Sequence, residues 1–302
     1  MTARTEARAA SAVPVTAASV PADPLYDRVA RRSARAVIAG YSTSFGWACR
    51  LLAEPVRTHV RDVYALVRVA DELVDGPAAG DPRTGAQLDA LEAETLDAVA
   101  TGRSTNLVVH AFALTARECG IGSDLIRPFF ASMRTDLSVT SHDENTLADY
   151  VYGSAEVVGL MCLRVFVAAP DAADRADYDD LAPGARRLGA AFQKVNFLRD
   201  LGADEDLRGR TYLPGTGGRL DAARRDQILD DIDADLAVAA TAVARLPRSS
   251  RRAVGAAHGL FAALSRRLRR VPPGRLRRTR VRVPAAGKAW ILVRALVLGG
   301  RS

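Results

Sequence analysis

From Leu25 onward the apolar positions recur at helical spacing, and Gly, Pro and short polar clusters cut the pattern into separate helices. The stretch from Leu25 to about Gly76, broken near Gly40 and again at Pro55, predicts two or three helices. Gly76 to Asp81, followed by Pro82, reads as a loop. Helical periodicity then returns over Thr84 to Ala100, Asn106 to Glu118, Gly122 to Leu137 and Leu147 to Val167, the last ended by Pro170. Ala185 to Gly202 predicts a further helix, Asp204 to Gly218 a loop, and Asp221 to Leu246 and Ser249 to Arg270 two more helices. Pro272, Pro273 and Gly274 break the chain before a basic, apolar last segment. No run alternates β-branched or aromatic residues with polar ones, and no repeat of fixed period occurs, so the expectation is an all-α, single-domain fold and not a sheet or solenoid.

Composition narrows the picture. Residues 1–23 are rich in Ala, Ser, Thr and Pro without a continuous apolar run, so they read as a disordered tail ahead of a domain over 24–302. A transit peptide is the weaker alternative, since Glu6 and Asp23 interrupt the tail. No apolar stretch reaches the roughly 18–20 residues that span a bilayer. Cys49, Cys119 and Cys162 are odd in number and widely spaced, which fits a reducing cytoplasm better than a disulfide framework. A net charge of +7 suits an anionic partner, whether diphosphate, acidic membrane or nucleic acid.

Two polar stripes carry candidate chemistry. Tyr64, Arg68, Asp71 and Asp75 fall on one face of a helix, and two aspartates one turn apart can hold a hard cation such as Mg²⁺. Taken alone, that pattern is more often a solvated helix face. Gln193, Asn196, Asp200 and Asp204 form a second stripe of oxygen donors, which alone is equally a satisfied polar seam. Facing each other, the two stripes would make a carboxylate-lined cleft for metal and diphosphate. The four histidines show no ligand spacing and read as ordinary surface or core residues.

The segments Tyr41-Ser-Thr-Ser-Phe45, Tyr64-Ala-Leu-Val-Arg68, Asp71-Glu-Leu-Val-Asp-Gly-Pro77, Val158-Gly-Leu-Met161, Asn196-Phe-Leu-Arg-Asp200 and Gly209-Arg-Thr-Tyr-Leu-Pro214 resemble, in that order, the squalene/phytoene synthase family, and most closely its bacterial phytoene synthases. The resemblance implies an isoprenoid synthase fold with a central cavity. It implies Mg²⁺, with Mn²⁺ as an alternative, held by Asp71, Asp75, Asn196, Asp200 and Asp204. It gives Arg68, Tyr64 and Tyr150 catalytic roles, the tyrosines beside the carbocation. Ser42, Ser44, Gln193, Arg199, Arg210, Tyr212, Arg280 and Lys288 would contact substrate.

The implied reaction joins two geranylgeranyl diphosphates head to head through a cyclopropyl (prephytoene) diphosphate to phytoene, in carotenoid biosynthesis. The alternative is squalene or dehydrosqualene from farnesyl diphosphate. Phytoene formation needs no hydride, so no NADPH is expected. An inactive helical membrane or assembly partner is the alternative of another class, and the retained aspartates argue against it. Arginines between Arg266 and Arg282 read either as a solvated face or as peripheral contact with the inner face of a membrane, while stacking aromatics for nucleic acid are missing. Thr43 stands where relatives commonly carry lysine, with Arg35 or Arg50 as substitutes. Glu156 stands where they carry glycine, and is expected to pair with a base or to face away from the tunnel.

Overall fold

The computed structural model describes residues 23–284 and 287, apart from 43, 78, 173–176 and 217–219; at 44, 45, 47 and 203–208 it describes the backbone alone. The expected tail therefore lies almost wholly outside the described residues. Among those residues there are α-helices and no strand. In chain order the helices are α1 (Pro24–Tyr41), α2 (Ser44–Cys49), α3 (Val56–Asp75), α4 (Thr84–Thr101), α5 (Leu107–Cys119), α6 (Ser123–Thr135), α7 (Glu144–Val151), α8 (Val157–Val167), α9 (Tyr178–Arg208), α10 (Ala222–Arg245), α11 (Arg248–Arg270) and α12 (Pro273–Leu276).

Local chemistry sets the helix ends. Asp23 caps α1 by accepting from the amides of Leu25 and Tyr26, and Asp143 and Thr146 form a reciprocal capping box on α7. Two boundaries depart from the sequence expectation. Helix α9 starts seven residues before Ala185, because Asp177 accepts from the amide of Asp179 (2.8 Å) and Pro183 is absorbed near its start. It also runs on through 204–208, where a loop was expected. The stretch holds no breaker until Gly209, which takes the left-handed φ of 63° that ends the helix.

A single π-turn, Tyr152–Glu156, joins α7 to α8, with the Val157 amide reaching the carbonyl of Tyr152. Counted through this turn, Glu144–Val167 is as long and apolar as a membrane span. The expectation that no such stretch exists is thereby corrected; Glu144, Asp149, Glu156 and Arg164 punctuate this one and mask its apolar character in the sequence. Half of its most apolar window is buried in the protein, so it serves here as the central core helix.

Two apolar clusters sit on either side of that helix. One gathers Leu66, Phe112, Phe129, Phe130 and Met161 from α3, α5, α6 and α8. The other gathers Val195, Leu198, Leu229, Ile232 and Leu268 from α9, α10 and α11. Burying each large side chain contributes about 1.5–3 kcal/mol, which fixes the helices that carry the polar stripes. Helix α9 approaches the π-turn and α8 almost to backbone contact: a Cβ on Gly189 would lie 2.5 Å from the carbonyl of Ala155, and one on Gly159 2.7 Å from that of Ala185.

Candidate active site

Between α3, α8, α9, α10 and α11 lies an apolar cavity of about 260 Å³. Val60 and Val67 line it from α3, and Tyr64, Asp71 and Asp75 continue that face toward the helix end at spacings of three or four. Leu181, Ala185, Leu188 and Phe192 line it from α9, and Asn196 and Arg199 continue that face, with Asp200 at its edge. The two polar stripes are thus extensions of the walls of one cavity. Phe192 is stacked on Phe261 of α11, ring centroids 3.7 Å apart, and so is held against the opposite wall.

The described carboxylates of both stripes are held by arginines. Asp71 accepts from Arg68 at 2.5 Å, and Arg68 also pairs with Glu72 and lies 4.5 Å over the ring of Tyr41. Asp75 pairs with Arg210, which comes from the loop after α9. Asp200 pairs with its neighbour Arg199 at 2.5 Å and with Arg280 at 2.8 Å. Burial raises the Tyr64 phenol above its usual pKa, against the effect of its hydrogen bond with Ser42 and the charge of Arg68.

The loop after α9 is fixed by a network that the motifs did not reveal. Arg210, only 8% exposed, donates to the carbonyls of Val74 (3.0 Å) and Asp136 (2.7 Å) as well as to Asp75. Asp136, just past α6, accepts from the hydroxyls of Tyr150 (2.8 Å) and Tyr212 (2.9 Å). Burial pushes the Asp136 carboxyl up to about 6, even though both hydroxyls and the Arg210 charge favour its ionised form. Burial likewise raises the phenols of Tyr150 and Tyr212. The Tyr212 ring stacks on Phe197 of α9 at 4.5 Å and 11°. A backbone hydrogen bond from Thr211 to Thr140 (2.7 Å) ties the same loop to the segment after α6.

Of the residues singled out from sequence, Arg68 is paired with Asp71, Arg210 with Asp75 and Tyr212, and Arg199 and Arg280 with Asp200; Tyr64 lies on α3 one turn before Arg68, and Gln193 and Asn196 lie on α9 ahead of Asp200. Ser42 follows α1, its hydroxyl accepting from the Gly46 amide at 3.4 Å. Tyr150 packs against Phe197 and Tyr212 with its hydroxyl turned to Asp136. The side chains of Ser44 and Asp204, and all of Thr43 and Lys288, lie outside the described residues. Glu156 pairs with Arg186 at 2.6 Å, as expected of a carboxylate at the tunnel.

Among the described residues, no three His, Cys, Asp or Glu side chains come close enough to form a self-sufficient metal site. Asp71, Asp75, Asn196 and Asp200 are nonetheless all oxygen donors. That suits Mg²⁺, which binds through one or two carboxylates, retained waters and substrate phosphate. The residues fit the ion as half of a site that a phosphate-bearing ligand completes.

Solved structures share this architecture. A dehydrosqualene synthase superposes with a TM-score of 0.75 at 20% identity, covering 91% of this chain and 99% of that one. A squalene synthase from Alicyclobacillus acidocaldarius superposes with a TM-score of 0.71 at 23% identity, covering 82% and 96%. The fold is therefore the all-α isoprenoid synthase fold, as the sequence led one to expect. The family model described as squalene/phytoene synthase matches residues 38–220, and the chain belongs to that family. The 15-cis-phytoene synthase of Paracoccus sp. (strain N81106 / MBIC 01143) is 31% identical over 287 residues, covering 86% of this chain and 88% of its own. The chloroplastic phytoene synthase 1 of Zea mays is 34% identical over 175 residues, 58% of this chain. The match takes in 42% of the length of that plant relative.

Proposed function

We propose that the chain is a prenyltransferase that condenses two geranylgeranyl diphosphates head to head to phytoene, through a cyclopropyl diphosphate. The observation that carries this reading is an apolar cavity whose α3 and α9 walls run directly into Asp71/Asp75 and Asn196/Asp200. A prenyl chain needs the first part and its diphosphate the second. Names of relatives support the product: the matched proteins from Paracoccus and maize are phytoene synthases.

Asp71, Asp75, Asn196, Asp200 and Asp204 would hold Mg²⁺. Bound there, the ion supplies positive charge that neutralises the departing diphosphate. Arg68, Arg199 and Arg280, now turned to carboxylates of the two stripes, are the cations within reach to turn to phosphate oxygens. The apolar walls keep water from the allylic cation, and the faces of Tyr64 and Tyr150 can each stabilise it by about 0.5–2 kcal/mol. Attack by the double bond of the second substrate, with loss of one proton, closes the cyclopropane; reionisation, ring opening and loss of a second proton give the central double bond, the two released diphosphates taking up the protons. No hydride enters, so the reaction runs without NADPH.

Purified protein with Mg²⁺ is incubated separately with geranylgeranyl and farnesyl diphosphates, without NADPH, and the hydrocarbon is identified. Phytoene from the twenty-carbon substrate is the expected result. Hydrocarbon from farnesyl diphosphate alone, or only when NADPH is added, overturns the product assignment.

A further inference from the structure

Asp136 lies more than 55 residues from either acidic stripe and belongs to no motif, yet it is the point at which four parts of the chain meet. Its carboxylate is 7% exposed and takes the hydroxyls of Tyr150 from α7 and Tyr212 from the loop after α9, one on each oxygen. Its own backbone carbonyl takes Arg210, whose second nitrogen pairs with Asp75 at the end of α3. The same Arg210 nitrogen that meets Asp75 lies 3.6 Å from the Asp136 carboxylate. Tyr212 in turn presses its ring on Phe197, one residue after Asn196 and three before Asp200.

Two unbroken lines of contact therefore leave Asp136. One passes through Arg210 to Asp75 in the first stripe; the other passes through Tyr212 and Phe197 to the second. We infer that Asp136 is a positioning residue that sets the first acidic stripe in register with the second, and so governs how tightly the pair of stripes takes a divalent cation together with diphosphate. This rests on the proposed function for its link to turnover, but its physical content is cation binding. Without the carboxylate, the buried Tyr150 and Tyr212 hydroxyls lose their shared acceptor and Arg210 loses an anion 3.6 Å away, keeping from residue 136 only the backbone carbonyl, so that the loop is free to reposition Arg210 against Asp75. Residues that hold metal ligands from behind typically alter metal affinity or activity by about 10- to 100-fold when removed.

The test compares wild type, Asp136→Ala and Asp136→Asn. Mn²⁺ binding in the presence of inorganic diphosphate is read by electron paramagnetic resonance, and the Mg²⁺ concentration for half-maximal turnover by kinetics. Asp136→Ala should weaken Mn²⁺ binding by about tenfold or more, and raise the Mg²⁺ requirement in parallel. Asp136→Asn, which keeps an acceptor oxygen and the volume, should recover most of the loss. If Asp136→Ala does not fold by circular dichroism, the Asn variant carries the test: it should then show a smaller but measurable loss of Mn²⁺ affinity. Unchanged Mn²⁺ affinity in a folded variant overturns the inference, even if the wild type makes phytoene. A wild type that binds Mn²⁺ with diphosphate but makes no hydrocarbon sinks the proposed function and leaves the Mn²⁺ comparison to decide the role of Asp136.

Discussion

Asp62 offers a measurement that needs no substrate. It sits on α3, turned away from the cavity and fully buried, with Thr115 of α5 donating to one carboxylate oxygen at 2.8 Å. The other oxygen has no hydrogen-bond partner among the described residues. Burial pushes its pKa from 3.8 up to about 7, against the Thr115 hydrogen bond and the charge of Arg31. The folded state therefore holds this proton more tightly than the unfolded chain does. The resulting stabilisation is complete below the unfolded pKa and is lost as pH rises through 7. At about 1.4 kcal/mol per pH unit, the loss between pH 4.5 and pH 8 is about 3 kcal/mol.

Asp62→Asn abolishes the titration and keeps an acceptor for Thr115. An amide without a partner costs about 1–3 kcal/mol, but that cost is the same at every pH and drops out of the comparison. His59, whose pKa burial lowers, titrates in the opposite sense and is present in both proteins. Urea unfolding followed by far-ultraviolet circular dichroism, run on both proteins at several pH values, should show the variant gaining on the wild type by about 3 kcal/mol from pH 4.5 to pH 8. Parallel stability curves across that range would refute the reasoning.

Asp71→Ala and Asp200→Ala should each abolish turnover while leaving the helical circular dichroism intact, because both side chains are part-exposed at the cavity end and neither packs in the core; retained turnover in either counts against the metal assignment. Gly202→Ala should raise the substrate KM and expose the segment around Arg277 to trypsin, since a Cβ there would lie 1.8 Å from the Arg277 carbonyl and would displace the strand of chain that brings Arg280 to Asp200. Unchanged KM and proteolysis would show that this segment does not depend on that close approach. Gly189→Ala should destabilise the fold by about 1–3 kcal/mol through overpacking against the π-turn, despite the better helix propensity of alanine, and a thermal melt at or above wild type would contradict the packing geometry.

What was legible in the sequence is what a single helix can encode. Spacings of three and four put Tyr64, Asp71 and Asp75 on one face, and Asn196 and Asp200 on another, before any tertiary information is available. The π-turn was not legible, because one extra residue between Tyr152 and Glu156 leaves the apolar pattern of the central helix nearly undisturbed. The early start of α9 was hidden by Pro183, which reads as a break but falls close enough to the capped end to be absorbed.

Asp136 shows the deeper limit. In Arg134-Thr-Asp136-Leu-Ser it is an ordinary helix-ending aspartate, and no periodicity distinguishes it from Asp143, which only caps the next helix. Its partners Arg210 and Tyr212 are 74 and 76 residues away, joined to it only once α6 and the loop after α9 are brought side by side. Once Asp75 is known to face Arg210, chemistry points there. Arg210 and Tyr212 are a buried-prone tyrosine and an arginine two apart in a loop, and an arginine driven into the interior must find carboxylates or carbonyls. Asp75 alone, at the end of α3, leaves most of the guanidinium donors unmatched, so a further acceptor was required by charge and hydrogen bonding. Which residue supplies it is a property of the folded chain.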